Sequence, residues 1–232
     1  MSFDVCRVNI LELKMLSRPK VSVIVPAHNE EGYIRRTIDS YANQSTPHEL
    51  IVVANGCTDD TTNVAHDLGA KVIELENPSI PAAKNAGVKQ AEGDYLIFND
   101  ADTIAAPNYV ESVVETLNES VGYGAARAKA ENWKPSTLTY IAMLNFGSVI
   151  LREACGNMFV KRDHFEDVNG FDETLLRGED TALSITLREH GSKFAALWKT
   201  YTIPSARAAS LKRTIKDSFN YLNFLVTGNL KE

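Results

Sequence analysis

The sequence has little of what would place it among disulfide-rich, zinc-binding or membrane-spanning proteins. Its 232 residues include three cysteines, Cys6, Cys57 and Cys155, and no CxxC motif. An odd number of scattered cysteines favours reduced thiols in a cytosol-like compartment. No run reaches the ~18 apolar residues that a spanning helix needs. The N-terminal residues lack the uninterrupted apolar core of a signal peptide. We therefore expect a cytoplasmic protein.

Positive charge is also scarce. The formal net charge is −6, which argues against a general nucleic-acid binder because such proteins need a basic face to neutralise phosphates. The content of 44% hydrophobic and 23% charged residues is that of an ordinary globular protein. A chain of this length is large enough for one domain with a substantial core.

After Pro19 the chain alternates between strand and helix patterns. The segments with strand character are VSVIVPA, ELIVVAN, KVIEL and DYLIFND, and those with helical spacing are EEGYIRRTIDSYANQ, TDDTTNVAHDLGA and PAAKNAGVKQAEG. Asn29 is expected to cap the first of these helices. This rhythm predicts an α/β fold with a mostly parallel central sheet and helices on both faces.

The second half is less regular. Its predicted elements are a helix over PNYVESVVETLNES, a strand over GYGAARAKAEN, a helix over TLTYIAMLNFGSVILRE, a glycine-bearing turn at ACGNMF and a helix over GEDTALSITLREHG.

Polar clusters follow three of the predicted strands, in the segments PAHNE, NGCTDD and NDADT. In parallel α/β sheets, ligands bind just outside the carboxyl ends of the strands, so these clusters are expected to converge on one crevice. The last cluster contains Asp100 and Asp102 directly after an apolar run. As an acid/base pair, the two carboxylates would need different environments. A zinc site would prefer His or Cys ligands. Mg²⁺ or Mn²⁺ bridging carboxylates to phosphates is the best of the three interpretations.

The segments from VSVIVPAHNEEG to LLRGEDTALSITLREHG, about Pro19 to Pro204, together resemble family 2 glycosyltransferases. The resemblance implies a GT-A, Rossmann-like fold with an irregular acceptor-side half. We expect an N-terminal extension over 1–18 and a catalytic domain over 19–205, which divides into a nucleotide-binding half (19–103) and an acceptor-binding half (104–205). An amphipathic helix over 206–232 would follow.

The resemblance also assigns donor-binding residues. Asp100 would contact the ribose and Asp102 would hold a divalent cation, Mn²⁺ or Mg²⁺, with Asp100 beside it in the metal site. Lys84 would face the nucleotide or its phosphates, with a solvated helix lysine as the alternative. The full set implied for the nucleotide sugar is Pro26, Ala27, Glu30, Asn55, Lys84, Asp100, Ala101 and Asp102.

Two positions depart from the family pattern. Ala54 replaces the acid that usually contacts the base, which leaves Asn55 to offer its amide and puts strict uridine recognition in doubt. Cys57 stands where Ser is usual, and we expect a small filler, because no adjacent base activates it. His28 is expected to have no role.

On the acceptor side, the resemblance assigns the general base to Asp180 and acceptor contact to Glu179. A carboxylate at a helix start can remove a proton from an acceptor hydroxyl, but Asp at such a position is also a common helix cap. Gly156 and Asn157, in the turn CGNMF, would border the acceptor.

The resemblance implies transfer of a sugar from a nucleotide-diphosphate sugar to a hydroxyl of a glycan, a lipid-linked or a small-molecule acceptor, with inversion. The sequence lacks the Gln-x-x-Arg-Trp segment of processive synthases, which favours one sugar at a time. A retaining transferase and an inactive nucleotide-sugar-binding module stay open. A dinucleotide-dependent dehydrogenase is disfavoured because GxGxxG is absent after the first strand.

The tail SLKRTIKDSFNYLNFLVTGNL has helical spacing of apolar residues and basic residues near its start. A helix packed on the body is one interpretation. Peripheral contact of 210–230 with the inner face of the cell membrane is the other.

Overall fold

The computed structural model describes residues 20–117, 120–154 and 156–209. The strands in this part of the chain are β1 (Val21–Ala27), β2 (Glu49–Asn55), β3 (Lys71–Leu75), β4 (Tyr95–Asn99), β5 (Thr103–Ala105), β6 (Tyr123–Ala128), β7 (Asn157–Lys161) and β8 (Phe194–Pro204). The helices are α1 (Ile34–Ala42), α2 (Thr61–Asp67), α3 (Ile80–Gln90), α4 (Tyr109–Thr116), α5 (Pro135–Phe146), α6 (Arg162–Asp167) and α7 (Glu179–Glu189). A π-helical turn, Gly147–Leu151, extends α5, and a 3₁₀ turn, Ala206–Ala208, follows β8.

The strands form one eight-stranded sheet in the order β3-β2-β1-β4-β7-β6-β8-β5. The first four strands are parallel to one another, as the sequence predicts. In the second half the pairing is mixed: β6 and β8 are parallel, whereas β4–β7, β6–β7 and β5–β8 are antiparallel. The predicted α/β class is therefore confirmed. The sheet is parallel over the first four strands, which carry the candidate sugar-donor residues, and mixed over the other four.

Burial on both faces explains the uninterrupted apolar run of β1. Val23 and Val25 belong to one core cluster and Ile24 to another, and all three side chains are fully buried. Since successive strand residues point to opposite faces, each face must be covered by helices. The first cluster contains residues of α1, α2 and α4, and the second contains residues of α3, α6 and α7.

Several local predictions differ from the structure. Strands β5, β7 and β8 were not predicted. The turn predicted at ACGNMF is wrong beyond Gly156, because Asn157 begins β7. That strand is short and opens on a buried polar side chain, which conceals its β pattern. The prediction that Asn29 caps α1 is also wrong: the helix begins at Ile34, and Asn29 lies at φ +54° with its Oδ1 accepting from the amide of Thr58 at 2.8 Å.

The strand order places a topological switch beside β1. The chain runs outward from β1 to β2 and β3 and then crosses to β4 on the other side of β1. Open α/β sheets bind ligands at the carboxyl ends of the strands that flank such a switch. This is the end of the sheet at which the polar clusters lie. The tail predicted as a helix lies outside the described residues from 210 onward.

Candidate active site

A cavity of about 490 Å³ opens at the carboxyl ends of β1, β2 and β4. The loop after β1 and the turn after β4 form its walls, and the residues that follow β8 border it. All the residues that the resemblance assigns to the donor, except Lys84, line this cavity: Pro26, Ala27, Glu30, Asn55, Asp100, Ala101 and Asp102.

Hydrogen bonds fix the loop after β1 to the loop after β2. The Nδ1 atom of His28 lies 2.7 Å from the carbonyl oxygen of Asn55. The thiol of Cys57 donates to the carbonyl of Ala27 at 3.1 Å. These bonds hold two walls of the cavity together, and His28, which the sequence analysis gave no role, has both a structural partner and a place in the lining.

Asn55 is oriented by the start of α3. Its Oδ1 accepts from the backbone amide of Ser79 at 2.8 Å, and the hydroxyl of Ser79 in turn caps α3 by accepting from Ala82. Its oxygen is thus engaged, whereas its NH₂ group donates no hydrogen bond to the residues that the structure describes. Ala54 is buried within β2, so the residue of this strand that lines the cavity is Asn55.

A tight turn after β4 carries the two aspartates. The Nδ2 atom of Asn99 donates to the carbonyls of Asp100 at 2.9 Å and Thr103 at 2.8 Å. The amide of Thr103 donates to the carbonyl of Asp100 at 3.0 Å. With its backbone pinned in this way, the turn gives Asp100 and Asp102 fixed but different neighbours.

Asp100 lies in the interior wall. Burial raises its pKa to about 8; Lys84 opposes the rise, and the carboxylates of Asp180 and Asp102 add to it. Gly156 lies next to this carboxyl group, and its backbone has a φ of +75°. A Cβ atom on Gly156 would lie 2.7 Å from Asp100 Oδ2. Only glycine both adopts this backbone conformation without strain and leaves room for Asp100.

Asp102 lines the cavity and accepts hydrogen bonds from two side chains of the segment after β8. Its Oδ2 accepts from the hydroxyl of Ser205 at 2.5 Å and from Nε of Arg207 at 2.8 Å. Arg207 also pairs through Nη2 with Glu30. Ser205 and Arg207 were not predicted as site residues, because Arg207 is 105 residues from Asp102 and 177 from Glu30 along the chain and no local pattern marks it.

The side chains around Asp102 fit a divalent cation that shares its ligands with a substrate. Carboxylate and hydroxyl oxygens are the ligands that Mg²⁺ and Mn²⁺ prefer. Among residues 20–209, where described, no group of three or more His, Cys, Asp or Glu could hold a metal on its own. A cation at Asp102 would therefore take further ligands from a bound anion such as a diphosphate.

Lys84 lies in the interior, behind the cavity. Its Nζ atom is 2.7 Å from Glu179 Oε1 and 2.6 Å from Asp180 Oδ1, and the lysine is 2% exposed. Burial acts to lower the pKa of Lys84, but Asp180, Glu179 and Asp100 outweigh it and raise the pKa above its ordinary value. The structure thus places this ammonium on the predicted acceptor-side acids rather than on the open donor cavity.

Glu179 and Asp180 form the first turn of α7, which Gly178 begins in a left-handed conformation. The side chain of Asp180 bonds to Lys84 and, through Oδ2, to the amide of Gly156 at 3.0 Å. No side-chain cap bond is made at this helix start. The N-cap residue is Gly178, and both acids lie in the first turn of the helix, where the helix dipole favours negative charge. The structural alternative for Asp180 therefore stays open.

A smaller cavity of about 150 Å³ shares Asp100, Tyr140 and Pro204 with the donor cavity. Both predicted acceptor-side turn residues, Gly156 and Asn157, line it. Asn157 is also a structural tie, since its Oδ1 accepts from the amide of Ala126 at 2.9 Å and its Nδ2 donates to Thr202 at 3.0 Å. Asp180 does not line this cavity, but its Oδ2 accepts from the amide of Gly156, which does.

Another cavity of about 490 Å³ lies between α3 and α6 and is lined by Asn85, Val88, Lys89, Arg162, Phe165, Glu166, Asn169, Gly170 and Glu173. It contains none of the residues that the sequence singles out. The guanidinium of Arg162 has a structural role there, because it donates to the carbonyls of Gly93 and Ala91 at 2.7 and 3.0 Å.

Residues 22–168 match the model of the family described as Glycosyl transferase family 2. Among curated proteins, glycosyltransferase AglE of Haloferax volcanii is 29% identical over 180 residues, which cover 70% of this chain and 59% of AglE.

Two solved structures share the fold. TarS 1–349 of S. aureus, solved in complex with UDP-GlcNAc, has a TM-score of 0.67 at 23% identity and covers 80% of this chain and 59% of its own. The mannosyltransferase PcManGT from Pyrobaculum calidifontis, in complex with GDP-Man and Mn²⁺, has a TM-score of 0.66 at 19% identity and covers 87% of this chain and 64% of its own. The predicted GT-A fold is thereby confirmed, and this chain spans less than two thirds of each of these proteins.

Proposed function

This chain belongs to glycosyl transferase family 2, and on that premise we propose that it transfers a single sugar from a nucleotide-diphosphate sugar to a hydroxyl group of an acceptor. One observation carries the proposal. Residues from three strand ends, far apart in sequence, line one cavity at the topological switch of the sheet, and Asp102 is among them.

The donor's nucleoside would lie against Pro26, Ala27, Glu30 and Asn55, with the Asn55 amide toward the base and Asp100 toward the ribose. Its diphosphate would lie at Asp102, with Asp100 close to the cation, Mn²⁺ or Mg²⁺. Such a cation, when bound, neutralises the charge that develops on the departing diphosphate. The Mn²⁺ in the PcManGT complex supports this choice.

For the chemical step we propose a direct displacement with inversion. The acceptor oxygen attacks the anomeric carbon, the bond from that carbon to the diphosphate oxygen breaks, and the hydroxyl proton passes to the carboxylate of Asp180. Glu179 would orient the acceptor, which would approach through the smaller cavity at Gly156 and Asn157. The bond between Asp180 and the amide of Gly156 supports this route.

The acceptor is a hydroxyl compound, and exposed apolar side chains favour one with a lipid part. Tyr140 and Leu144 of α5 line the smaller cavity, while Phe146 and Ile150, farther along, are 63% and 60% exposed.

Within the described residues no helix is long and apolar enough to span a bilayer. We propose a cytoplasmic protein with peripheral membrane contact. The fraction of protein that co-sediments with anionic liposomes should fall in the double variant Phe146→Glu/Ile150→Glu. It should persist in Leu176→Glu, a control at another exposed apolar position. Equal co-sedimentation of the two variants would contradict the membrane proposal.

The donor proposal is tested with a panel of nucleotide sugars incubated with the protein and Mn²⁺ and scored for release of nucleoside diphosphate. We expect slow hydrolysis of one or a few donors, and its loss in Asp102→Asn. Tight donor binding without any release would instead favour a non-catalytic binding module.

The base is tested once a donor and acceptor are known. Asp180→Asn should lower kcat by roughly 10²–10⁴-fold, while Glu179→Gln, which touches the same lysine, should have a smaller effect. Equal small losses in both variants would rule out Asp180 as the base. The anomeric configuration of the product, read by NMR, separates inversion from retention.

A further inference from the structure

The guanidinium of Arg207 pairs with two carboxylates that line the donor cavity. Its Nε atom lies 2.8 Å from Asp102 Oδ2, and its Nη2 atom pairs with Glu30. Its Cζ atom lies 4.7 Å from the centre of the Tyr33 ring. The positive charge of Arg207 therefore already lies at Asp102, the side chain that is proposed to bind the cation.

The charge balance of the cavity gives this contact significance. The carboxylates of Glu30 and Asp102 are both in the lining, and Arg207 is the only lysine or arginine among the described residues there. Lys84 is engaged with Glu179 and Asp180. A diphosphate that enters this acidic cavity therefore needs both a cation and Arg207 to offset repulsion.

The arginine is placed so that its side chain can change partners while its backbone stays fixed. The side chain of Arg207 is 43% exposed, against 14% for Asp102. The neighbouring backbone is anchored: the amide of Ser205 donates to the carbonyl of Asp102 at 3.1 Å, and that of Ala206 donates to Glu131 at 2.8 Å. A change of side-chain rotamer is enough to redirect the guanidinium.

The carboxylate of Glu30 is incompletely satisfied in this arrangement. Its second oxygen, Oε2, is buried and has no hydrogen-bond partner among the described residues. Buried polar atoms are normally paired, so the contact with Arg207 is not a fully compensated structural ion pair. This favours a donor-free state that gives way when a ligand binds.

We propose that Arg207 is a surrogate cation. It holds Asp102 and Glu30 in the donor-free protein and moves onto the donor's diphosphate when the divalent cation takes its place at Asp102. The inference rests on the proposed function, because it assumes a diphosphate at Asp102. It follows that cation and Arg207 compete for Asp102, and that a diphosphate relieves the competition by giving Arg207 a new partner. Cation and nucleotide then bind cooperatively.

The test measures Mn²⁺ binding to the full chain from the EPR signal of free Mn²⁺, alone and with uridine or guanosine diphosphate. Arg207→Gln should bind Mn²⁺ alone about fivefold more tightly, since a partly exposed ion pair no longer competes. The same variant should bind the Mn²⁺–nucleoside diphosphate pair about tenfold more weakly, because a charge-assisted hydrogen bond is lost. Arg35→Gln, which removes the same charge from the exposed face of α1, should change neither.

Opposite signs in the two titrations are the distinguishing result, since a merely structural loss would weaken both. An unchanged or weaker affinity of Arg207→Gln for Mn²⁺ alone overturns the surrogate-cation role. Asp102→Asn separates this failure from that of the proposed function. If Asp102→Asn abolishes Mn²⁺ binding while Arg207→Gln shows no tightening, the cation site stands and the role of Arg207 is wrong. If Asp102→Asn leaves Mn²⁺ binding intact, the proposed cation site is wrong and the inference falls with it.

Discussion

Replacement of Gly156 by alanine tests the packing between the donor and acceptor sides of the site. Gly156 lies at φ +75°, and its added Cβ atom would lie 2.7 Å from Asp100 Oδ2. The amide of the same residue donates to Asp180 at 3.0 Å. One methyl group would therefore disturb the two carboxyl groups on which the proposed function depends.

The expected cost has two parts. A non-glycine residue in the left-handed region costs about 1–2 kcal/mol, and the close approach of the added methyl group to the Asp100 carboxyl group costs about 1–3 kcal/mol more. Gly191 supplies the matched control, because it lies at φ +86° with nothing within 4 Å of an added Cβ atom. Gly191→Ala should carry only the first part, so the difference between the two variants isolates the contact with Asp100.

Urea denaturation of both variants gives the free energies of unfolding, and titration with Mn²⁺ and a nucleoside diphosphate gives the affinity. We expect Gly156→Ala to be less stable than Gly191→Ala by about 1–3 kcal/mol and to lose on the order of tenfold in nucleotide affinity. Equal stabilities, with nucleotide affinity unchanged, would refute the close approach of Gly156 and Asp100.

Two further predictions concern the buried charges. Lys84→Met should lower the free energy of unfolding by about 3–5 kcal/mol at neutral pH, since it leaves Glu179 and Asp180 buried without their counter-charge; Lys89→Met, exposed on the same helix, should stay within about 0.5 kcal/mol of the parent, and similar losses in the two variants would contradict the ion pairs. The pKa of Asp100 is raised from 3.8 to about 8, so the folded state binds more protons than the unfolded state between these values, and in EDTA stability should fall as pH rises through that window. Asp100→Asn, followed by urea denaturation at several pH values, should flatten that fall, and an identical pH profile would show that Asp100 is not the group responsible.

The convergence of the donor-side candidate residues on one cavity was predictable because these residues follow strands. Asn55 and Asp102 come directly after, or close to, the ends of apolar runs, and parallel strands bring their carboxyl ends together without any further information. The same rule explains why Pro26 and Asp100 meet in one cavity.

The remainder depends on contacts that no local pattern records. The pairing of Lys84 with Glu179 and Asp180 spans about a hundred residues of chain. Arg207 reaches the cavity only because β8 pairs with β5 and β6 and ends beside the turn that carries Asp102. Strand β7 was missed because Asn157, a polar residue with a structural role, opens it.

The central claim, that a nucleoside diphosphate and its cation bind at Asp102, is tested most directly by a crystal structure of the chain soaked with Mn²⁺ and a nucleoside diphosphate, with the ion located by its anomalous scattering. We expect Mn²⁺ within bonding distance of Asp102 and of the diphosphate oxygens, and the nucleoside against Pro26 and Asn55. Nucleotide bound instead between α3 and α6, or Mn²⁺ bound away from Asp102, would contradict it.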